Sequence, residues 1–174
     1  LSASGINIIS GAEITVINRS DKTVAITGAG QEKSLHFDKL VIATGSSAFI
    51  PPPFRPYSEL FFCLNSLVDL KALRKFRLGL LNQTRQPDWA IIGGGLIGCE
   101  VASDLAFSGD NVTLFHAMDR LMERQLVVED SALLFDVLQN SGVKVLLNQN
   151  VQGFVKQQDK VCVKTDVTTE FDAL

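Results

Sequence analysis

Apolar and polar positions alternate with a period of two in two stretches far apart in the chain, the pattern of half-buried strands. The first, GINIISGAEITVINRSDKTVAIT, starts at Gly5, and the second, GVKVLLNQNVQGFVKQQDKVCVKT, starts at Gly142. Each opens on a glycine and an alternating strand (Ile6, Ile8; Val143, Val145) and continues through a strand holding Ile14 or Val151. Each then reaches a polar turn ending in Asp-Lys and returns through Val24 and Ile26, or Val161 and Val163. Phe37-Asp38-Lys39-Leu40 closes one copy and Phe171-Asp172-Ala173-Leu174 the other. One plan is written twice. Only the second copy has a strand–glycine–helix unit in front of it, at 89–109, and only the first runs on into LVIATGSSAFIPP. The chain is therefore expected to be a piece of a longer one, with a further glycine-rich unit upstream and a counterpart of residues 40–45 downstream.

Elsewhere the period lengthens. Residues 6–27 and 36–43 are expected as strands with a meander between them, and Pro51-Pro52-Pro53 as an extended linker. Asn65 or Ser66 is placed to cap a helix carrying Leu67, Leu70 and Leu73 on one face. A buried strand at 89–92 leads into a helix closed near Gly109, and a second strand spans 111–116. Asp130 or Ser131 is the expected cap of a helix whose Leu133, Leu134, Val137 and Leu138 form an apolar stripe ending at Gly142. Strand, helix, strand, helix, strand and meander amount to an α/β fold: a Rossmann-like nucleotide-binding domain with a β-meander, beside an incomplete piece of a second domain of the same plan. The expected division is 1–50 for the partial domain, 51–86 for linker and crossover helix, and 87–174 for the nucleotide-binding domain, short of its last strand.

Composition narrows the partners. The 174 residues are 46% hydrophobic, enough for a core, and the net charge of -3 with no basic cluster speaks against nucleic acid or an anionic membrane. No apolar run is long enough for a bilayer, and the N-terminus lacks the pattern of a signal peptide. Cys63, Cys99 and Cys162 are far apart and odd in number, so they read as small buried thiols in a reducing, cytoplasmic setting. Two histidines and no ligand cluster argue against a metal site.

The chemistry lies in WAIIGGGLIGCEVA. Gly93, Gly95 and Gly98 satisfy G-x-G-x-x-G after an apolar strand and at a helix start, with Gly94, Leu96 and Ile97 completing the turn. The first glycine allows the tight turn, the second lets backbone approach a pyrophosphate, and the third lets the helix sit close to the sheet. Free N–H groups and the helix dipole favour phosphate there. The competing interpretation is a strand–helix turn without a ligand. Gly98, Ala102 and Ala106, spaced by four, form a small-residue stripe for close helix packing. Glu100 either answers the helix dipole or meets the nicotinamide end of the cofactor. His116 ends the next strand, where an acid usually holds the adenosine ribose; it either lines that end of the site or is an exposed strand-end residue. Asp119 and Glu123 would favour NAD(H), and Arg120 and Arg124 NADP(H), so the choice between them stays open.

LVIATGSSAFIPP together with IIGGGLIGCEVA resembles the two-dinucleotide flavoproteins, the pyridine nucleotide-disulfide oxidoreductases and their disulfide-free relatives. That resemblance covers essentially the whole chain and implies an NAD(P) domain inserted into an FAD domain of shared plan. It places Ala43, Thr44 and Gly45 at the flavin, and Ile14 or Glu13 near the FAD adenine. Within the family, HAMDRLMERQLVVEDSALL is most similar to the flavoprotein part of assimilatory NAD(P)H nitrite reductases, with rubredoxin and flavorubredoxin reductases next. The implied activity is hydride transfer from NAD(P)H to FAD, with electrons passed to a sirohaem/iron-sulfur nitrite reductase centre or a rubredoxin-like protein and no catalytic side chain required. An NADH oxidase, a disulfide reductase and a non-catalytic dinucleotide-binding module are the alternatives. PPPFRPYSE lacks the glycine usual in the family's linker, and His116 stands where an acid is common.

Overall fold

The computed structural model describes residues 5–28, 31–83 and 85–174. They fall into two compact units, Leu1–Gly45 and Ser46–Leu174.

The first unit is an antiparallel meander of β1 (Ala12–Asn18), β2 (Thr23–Gly28) and β3 (Gln31–His36), hydrogen-bonded in chain order. Lys22 takes a positive φ of 50° in the turn after β1, and the β1–β2 register shifts between Ile14 and Val16. Of the strand expected at 36–43, only His36 is in a strand, as the end of β3; residues 37–43 are not. After Phe37, whose N–H donates to Lys22 O, no described strand of this unit lies alongside to accept their backbone hydrogen bonds, and Val41 and Ile42 are exposed. The expected early strand is likewise shorter, beginning at Ala12 rather than Ile6.

In the second unit a 3-10 helix (Pro52–Leu60) precedes α1 (Leu67–Leu81). The proline run was expected to be extended. Only Pro51 is (φ -53°, ψ 139°), and the fixed φ of the following prolines suits a first helical turn. Phe54 and Tyr57 of this helix, with Phe61 just beyond it, stack on Phe154 at centroid distances of 5.1 to 5.8 Å. α1 starts with a capping box: Ser66 Oγ accepts from the Asp69 N–H, and the Asp69 carboxylate accepts from the Ser66 N–H. The Ser66 hydroxyl also donates to Asp69 Oδ2 at 2.8 Å, and this bond contributes most to holding the Asp69 carboxyl below its ordinary value, with the Asn65 N–H next. Ser66→Ala is expected to lower stability by about 1 kcal/mol, read as a shift in the urea midpoint; an unchanged midpoint would show that α1 needs no cap. Of the three leucines expected on one face of α1, only Leu73 is buried.

The rest is β4 (Asp88–Ile92), α2 (Leu96–Phe107), β5 (Asn111–Phe115), α3 (Val128–Asn140), β6 (Val143–Leu146), and a second meander of β7 (Gly153–Gln157), β8 (Lys160–Lys164) and β9 (Thr168–Phe171). β4, β5 and β6 form a parallel sheet in that order, and β7–β9 an antiparallel one. The repeat legible in the sequence is thus two meanders, both in chain order. Beyond β9 the chain turns parallel to β4, where the Ala90 N–H donates to Ala173 O. Asp172 fastens this junction by accepting from the Asp88 N–H and pairing with Arg85.

Period-two alternation in β4 and β5 sends side chains into two cores. Trp89, Val112 and Leu114 meet Ala102, Leu105 and Leu138 on the helical face. Ala90 and Phe115 meet Phe154, Val161, Val163 and Phe171 on the meander face. A sheet covered on both faces explains the unbroken apolar run before the glycines. Gly109 and Gly142, at φ 88° and 91°, follow α2 and α3 as expected. α3 departs from expectation: its cap is Val127, and Leu133 and Val137 are exposed. Ser131 lies inside the helix and is buried, its hydroxyl donating to Leu121 O at 2.7 Å.

Candidate functional site

The C-terminal end of β4 turns sharply at Gly93 (φ 108°), whose N–H donates to Phe115 O at 2.8 Å. Three glycines then meet three different surroundings. A Cβ on Gly98 would fall 1.9 Å from Gly93 O, so α2 rests directly on the turn. A Cβ on Gly94 would come 2.9 Å from His116 Cγ and closer still to Leu121. A Cβ on Gly95 would meet nothing within 4 Å. Gly95 is also the N-cap of α2, and no side chain caps this helix. The first-turn N–H groups of α2 therefore lie behind open space that only a glycine leaves clear, which fits a pyrophosphate. Leu96 and Ile97, at the same helix start, are exposed.

His116, immediately after β5, is buried rather than exposed. Its Nδ1 accepts from the Gly94 N–H at 3.0 Å, which places the ring proton on Nε2, 3.2 Å from Glu123 Oε2. Residues 117–126 fold back over the cradle: the Met122 N–H donates to Gly94 O at 2.9 Å, Met122 has a positive φ of 49°, and Leu121 is wholly buried. The Glu123 carboxyl is held below its ordinary value, first by its own backbone N–H, then by His116 and Arg124. Arg120 NH2 donates to Glu123 O at 3.2 Å, while Arg124 extends into solvent.

Sequence reasoning placed Gly93, Gly94, Gly95, Leu96, Ile97, Gly98 and His116 together, and the structure brings them together. Glu100 is exposed in the second turn of α2, because the helix begins at Leu96; the dipole argument for a first-turn carboxylate does not apply to it. Ile14 lies exposed in β1, and Ala43, Thr44 and Gly45 form exposed coil with Gly45 at φ 75°. The pairing of His116 with Glu123 was missed; its one sequence signal is an acid seven positions on, across a turn that no local pattern announces. A hollow of about 550 Å³ in the second unit adjoins the cradle, with Ile91, Ile92, Gly93, Ile97, Gly98 and Val101 on one side. Its size is that of a small-molecule site.

The family profile for pyridine nucleotide-disulphide oxidoreductases matches residues 2–174. The chain belongs to this family. A curated relative, the nitric oxide reductase FlRd-NAD(+) reductase of Escherichia coli O7:K1, is 35% identical over 136 residues, 78% of this chain and 34% of that protein. Among solved structures, the putidaredoxin reductase–putidaredoxin complex matches with a TM-score of 0.76 and 28% identity, over 99% of this chain and 40% of that one. An FAD-dependent pyridine nucleotide-disulphide oxidoreductase from Desulfovibrio vulgaris matches with a TM-score of 0.65 and 26% identity, over 93% and 41%. The chain spans about a third of the length of the curated relatives it matches.

In a disulphide oxidoreductase family the thiols carry particular interest. Cys63, Cys99 and Cys162 are all free. Burial, with the Glu100 charge second, pushes the Cys99 thiol up to about 11 from an ordinary 9.0. Burial, then Asp69, raises Cys63 as well. Thiolate at Cys99 is thereby suppressed on the order of a hundredfold, the reverse of what a reactive cysteine needs. In the folded chain at pH 8, Cys99 is expected to resist iodoacetamide while the urea-unfolded chain is labelled at all three cysteines, read by mass spectrometry. Rapid labelling of Cys99 in the folded chain would contradict its assigned surroundings. Among the described residues no helix is long and apolar enough to cross a membrane, and no group of His, Cys, Asp and Glu is arranged to hold a metal ion.

Proposed function

We propose that this chain is the dinucleotide-binding part of an FAD-dependent NAD(P)H oxidoreductase, in which hydride passes from NAD(P)H to FAD and electrons go onward to a small redox protein of the rubredoxin or ferredoxin kind. The observation that carries the reading is the graded glycine cradle: Gly98 tight against Gly93, and Gly95 open before the uncapped start of α2. In this reading residues 87–174 are the NAD(P)-binding domain, 51–86 its connection, and 1–50 a partial FAD-binding domain.

The reduced nicotinamide, when bound, supplies the hydride. The chain's own residues supply position. Gly93 makes the turn, Gly95 admits the pyrophosphate to the backbone, and the N–H groups behind Leu96 and Ile97 answer its charge. The hollow beside Ile97 and Val101 offers a mainly apolar surface next to the phosphate seat. For flavin, Ile14, Ala43, Thr44 and Gly45 are the proposed contacts, on the strength of the family. The described residues of the first unit hold no glycine–helix cradle of their own, and no step through the flavin follows from them.

Of the two acceptors suggested by the sequence, the relatives' names favour the small redox protein. One is named for FlRd and another is solved with putidaredoxin. A nitrite reductase centre draws no support from them. A cytoplasmic setting remains part of the reading, in keeping with the three free thiols.

Calorimetric titration of the chain with NADH and NADPH tests the dinucleotide assignment. Saturable binding of at least one, near one per chain, is expected; flat titrations with both would contradict it. The purified chain is expected to carry no flavin, and stoichiometric bound FAD would contradict this.

A further inference from the structure

We infer that Glu123, carried by His116, is the residue that holds the adenosine ribose and makes the site selective for NADH over NADPH. The inference rests on the dinucleotide reading above and adds the residue and the cofactor to it.

In a nucleotide site of this plan, a carboxylate at the end of the second parallel strand accepts hydrogen bonds from the ribose hydroxyls. Here that position is His116, and its ring is fully used. Nδ1 accepts from the Gly94 N–H inside the cradle, and Nε2 is directed at Glu123 Oε2. An imidazole so engaged has no free acceptor for a hydroxyl. Its outward edge instead fixes a carboxylate that the backbone fold at 117–126 has brought back to the strand end. Histidine and glutamate together thus restore, by two side chains, the acid that the sequence lacks at the strand end itself. The carboxylate accepts from its own backbone N–H and faces His116 Nε2, with Arg124 Nε 3.7 Å from Oε1, and its two oxygens still have lone pairs left for a diol.

The surrounding charges favour a diol over a phosphate. A 2′-phosphate brought to this strand end would meet the Glu123 carboxylate, which its environment keeps ionised. Both arginines of the loop lie beside Glu123 itself: Arg124 is within ion-pair distance of its carboxylate, and Arg120 binds its carbonyl while its buried Nε has no hydrogen-bond partner among the described residues. Arg120 also lies 3.8 Å from Asp119, and Arg124 is 86% exposed at its side chain. The acid therefore both attracts the hydroxyls and repels the phosphate, so the selectivity has an attractive and a repulsive element.

The experiment is equilibrium titration of the chain with NADH and, separately, NADPH, followed by the enhancement of nucleotide fluorescence, for wild type, Glu123→Gln and the double variant Glu123→Gln with His116→Asp. Wild type is expected to prefer NADH by about ten- to a hundredfold, the range of one or two charge-assisted hydrogen bonds. Glu123→Gln is expected to bring the two affinities to within a few-fold, and the double variant, with an acid placed directly at the strand end, to restore most of the preference. A change in the ratio is a readout that mere destabilisation would not produce. Equal or tighter NADPH binding by wild type overturns the inference while leaving the dinucleotide reading intact, as does an unchanged ratio in Glu123→Gln. Binding of neither nucleotide by wild type removes both.

Discussion

Replacing Gly98 by alanine is expected to disrupt the fold and the cradle together, whereas the same change three residues earlier, at Gly95, removes binding alone. The added methyl at Gly98 would sit 1.9 Å from a backbone oxygen of the preceding turn, and backbone cannot rotate aside as a flexible side chain does. α2 must then lift from β4, and with it Ala102 and Leu105, both in the core. Overpacking of this kind costs about 1–3 kcal/mol where neighbours yield, and more where they do not. At Gly95 the backbone φ of -82° suits alanine and no atom lies within reach, so the folded chain tolerates the methyl. The methyl then stands where phosphate oxygens are expected to approach. Circular-dichroism melting and NADH titration on both variants separate the two effects. A Gly98→Ala chain as stable as wild type, or a Gly95→Ala chain that binds NADH undiminished, would show that the glycines are graded for some other reason.

Asp110→Ala is expected to be the most damaging single substitution outside the cradle, by about 3–5 kcal/mol. Asp110 stands at the entry to β5 with its side chain 1% exposed. Its carboxylate accepts from Arg77 Nε at 2.6 Å and Arg77 NH2 at 2.8 Å, and from Trp89 Nε1 at 2.9 Å. One residue thereby joins α1, β4 and β5. That hydrogen bond holds the Arg77 guanidinium firmly charged, its proton affinity raised chiefly by Asp110. Truncation leaves the buried indole N–H without its acceptor and the guanidinium with Ser108 O in place of a carboxylate. Since whole domains are stable by only about 5–15 kcal/mol, the loss is a large fraction of the total. Urea unfolding measures it. Asp110→Asn, which keeps one acceptor oxygen, is expected to lose less than Asp110→Ala. A loss under about 1 kcal/mol for Asp110→Ala would mean that water replaces the carboxylate, a cost nearer that of an exposed pair.

Local chemistry made parts of the fold legible. Gly93, Gly109 and Gly142 all adopt positive φ, which few other residues accept, so their positions announce turns and helix ends directly. Ser66 and Asp69 announce a capping box through residues three apart. The two meanders show because strand alternation survives in both copies. Features that depend on distant partners stayed hidden. Residues 38–43 have strand composition but no described strand beside them. Pro52–Leu60 coils because Phe54 and Tyr57 find Phe154, about a hundred residues away. Ser131 is buried because Leu121 offers it a carbonyl, while apolar Leu133 and Val137 of the same helix remain outside.

The site divides the same way. Its proposed phosphate seat is a contiguous motif and could be read residue by residue. Its inferred ribose end is assembled from Gly94, His116 and Glu123, and the last of these arrives only through a turn with Met122 at positive φ. Charge counting alone met two acids and two arginines in that loop and had no ground for choosing. The inferred preference takes its ground from the geometry: the acid faces the cradle's histidine, while Arg124, 3.7 Å from that acid, is otherwise exposed.

The measurement that bears most directly on the account is amide mapping by two-dimensional NMR of the ¹⁵N-labelled chain titrated with NADH. Saturable shifts are expected at residues 93–98, at His116 and through 120–124, with β1, β2 and β3 undisturbed. Saturation with the shifts elsewhere, or an unmoved spectrum at millimolar NADH, would contradict the claim that the glycine cradle at the start of α2 is where this chain holds a dinucleotide.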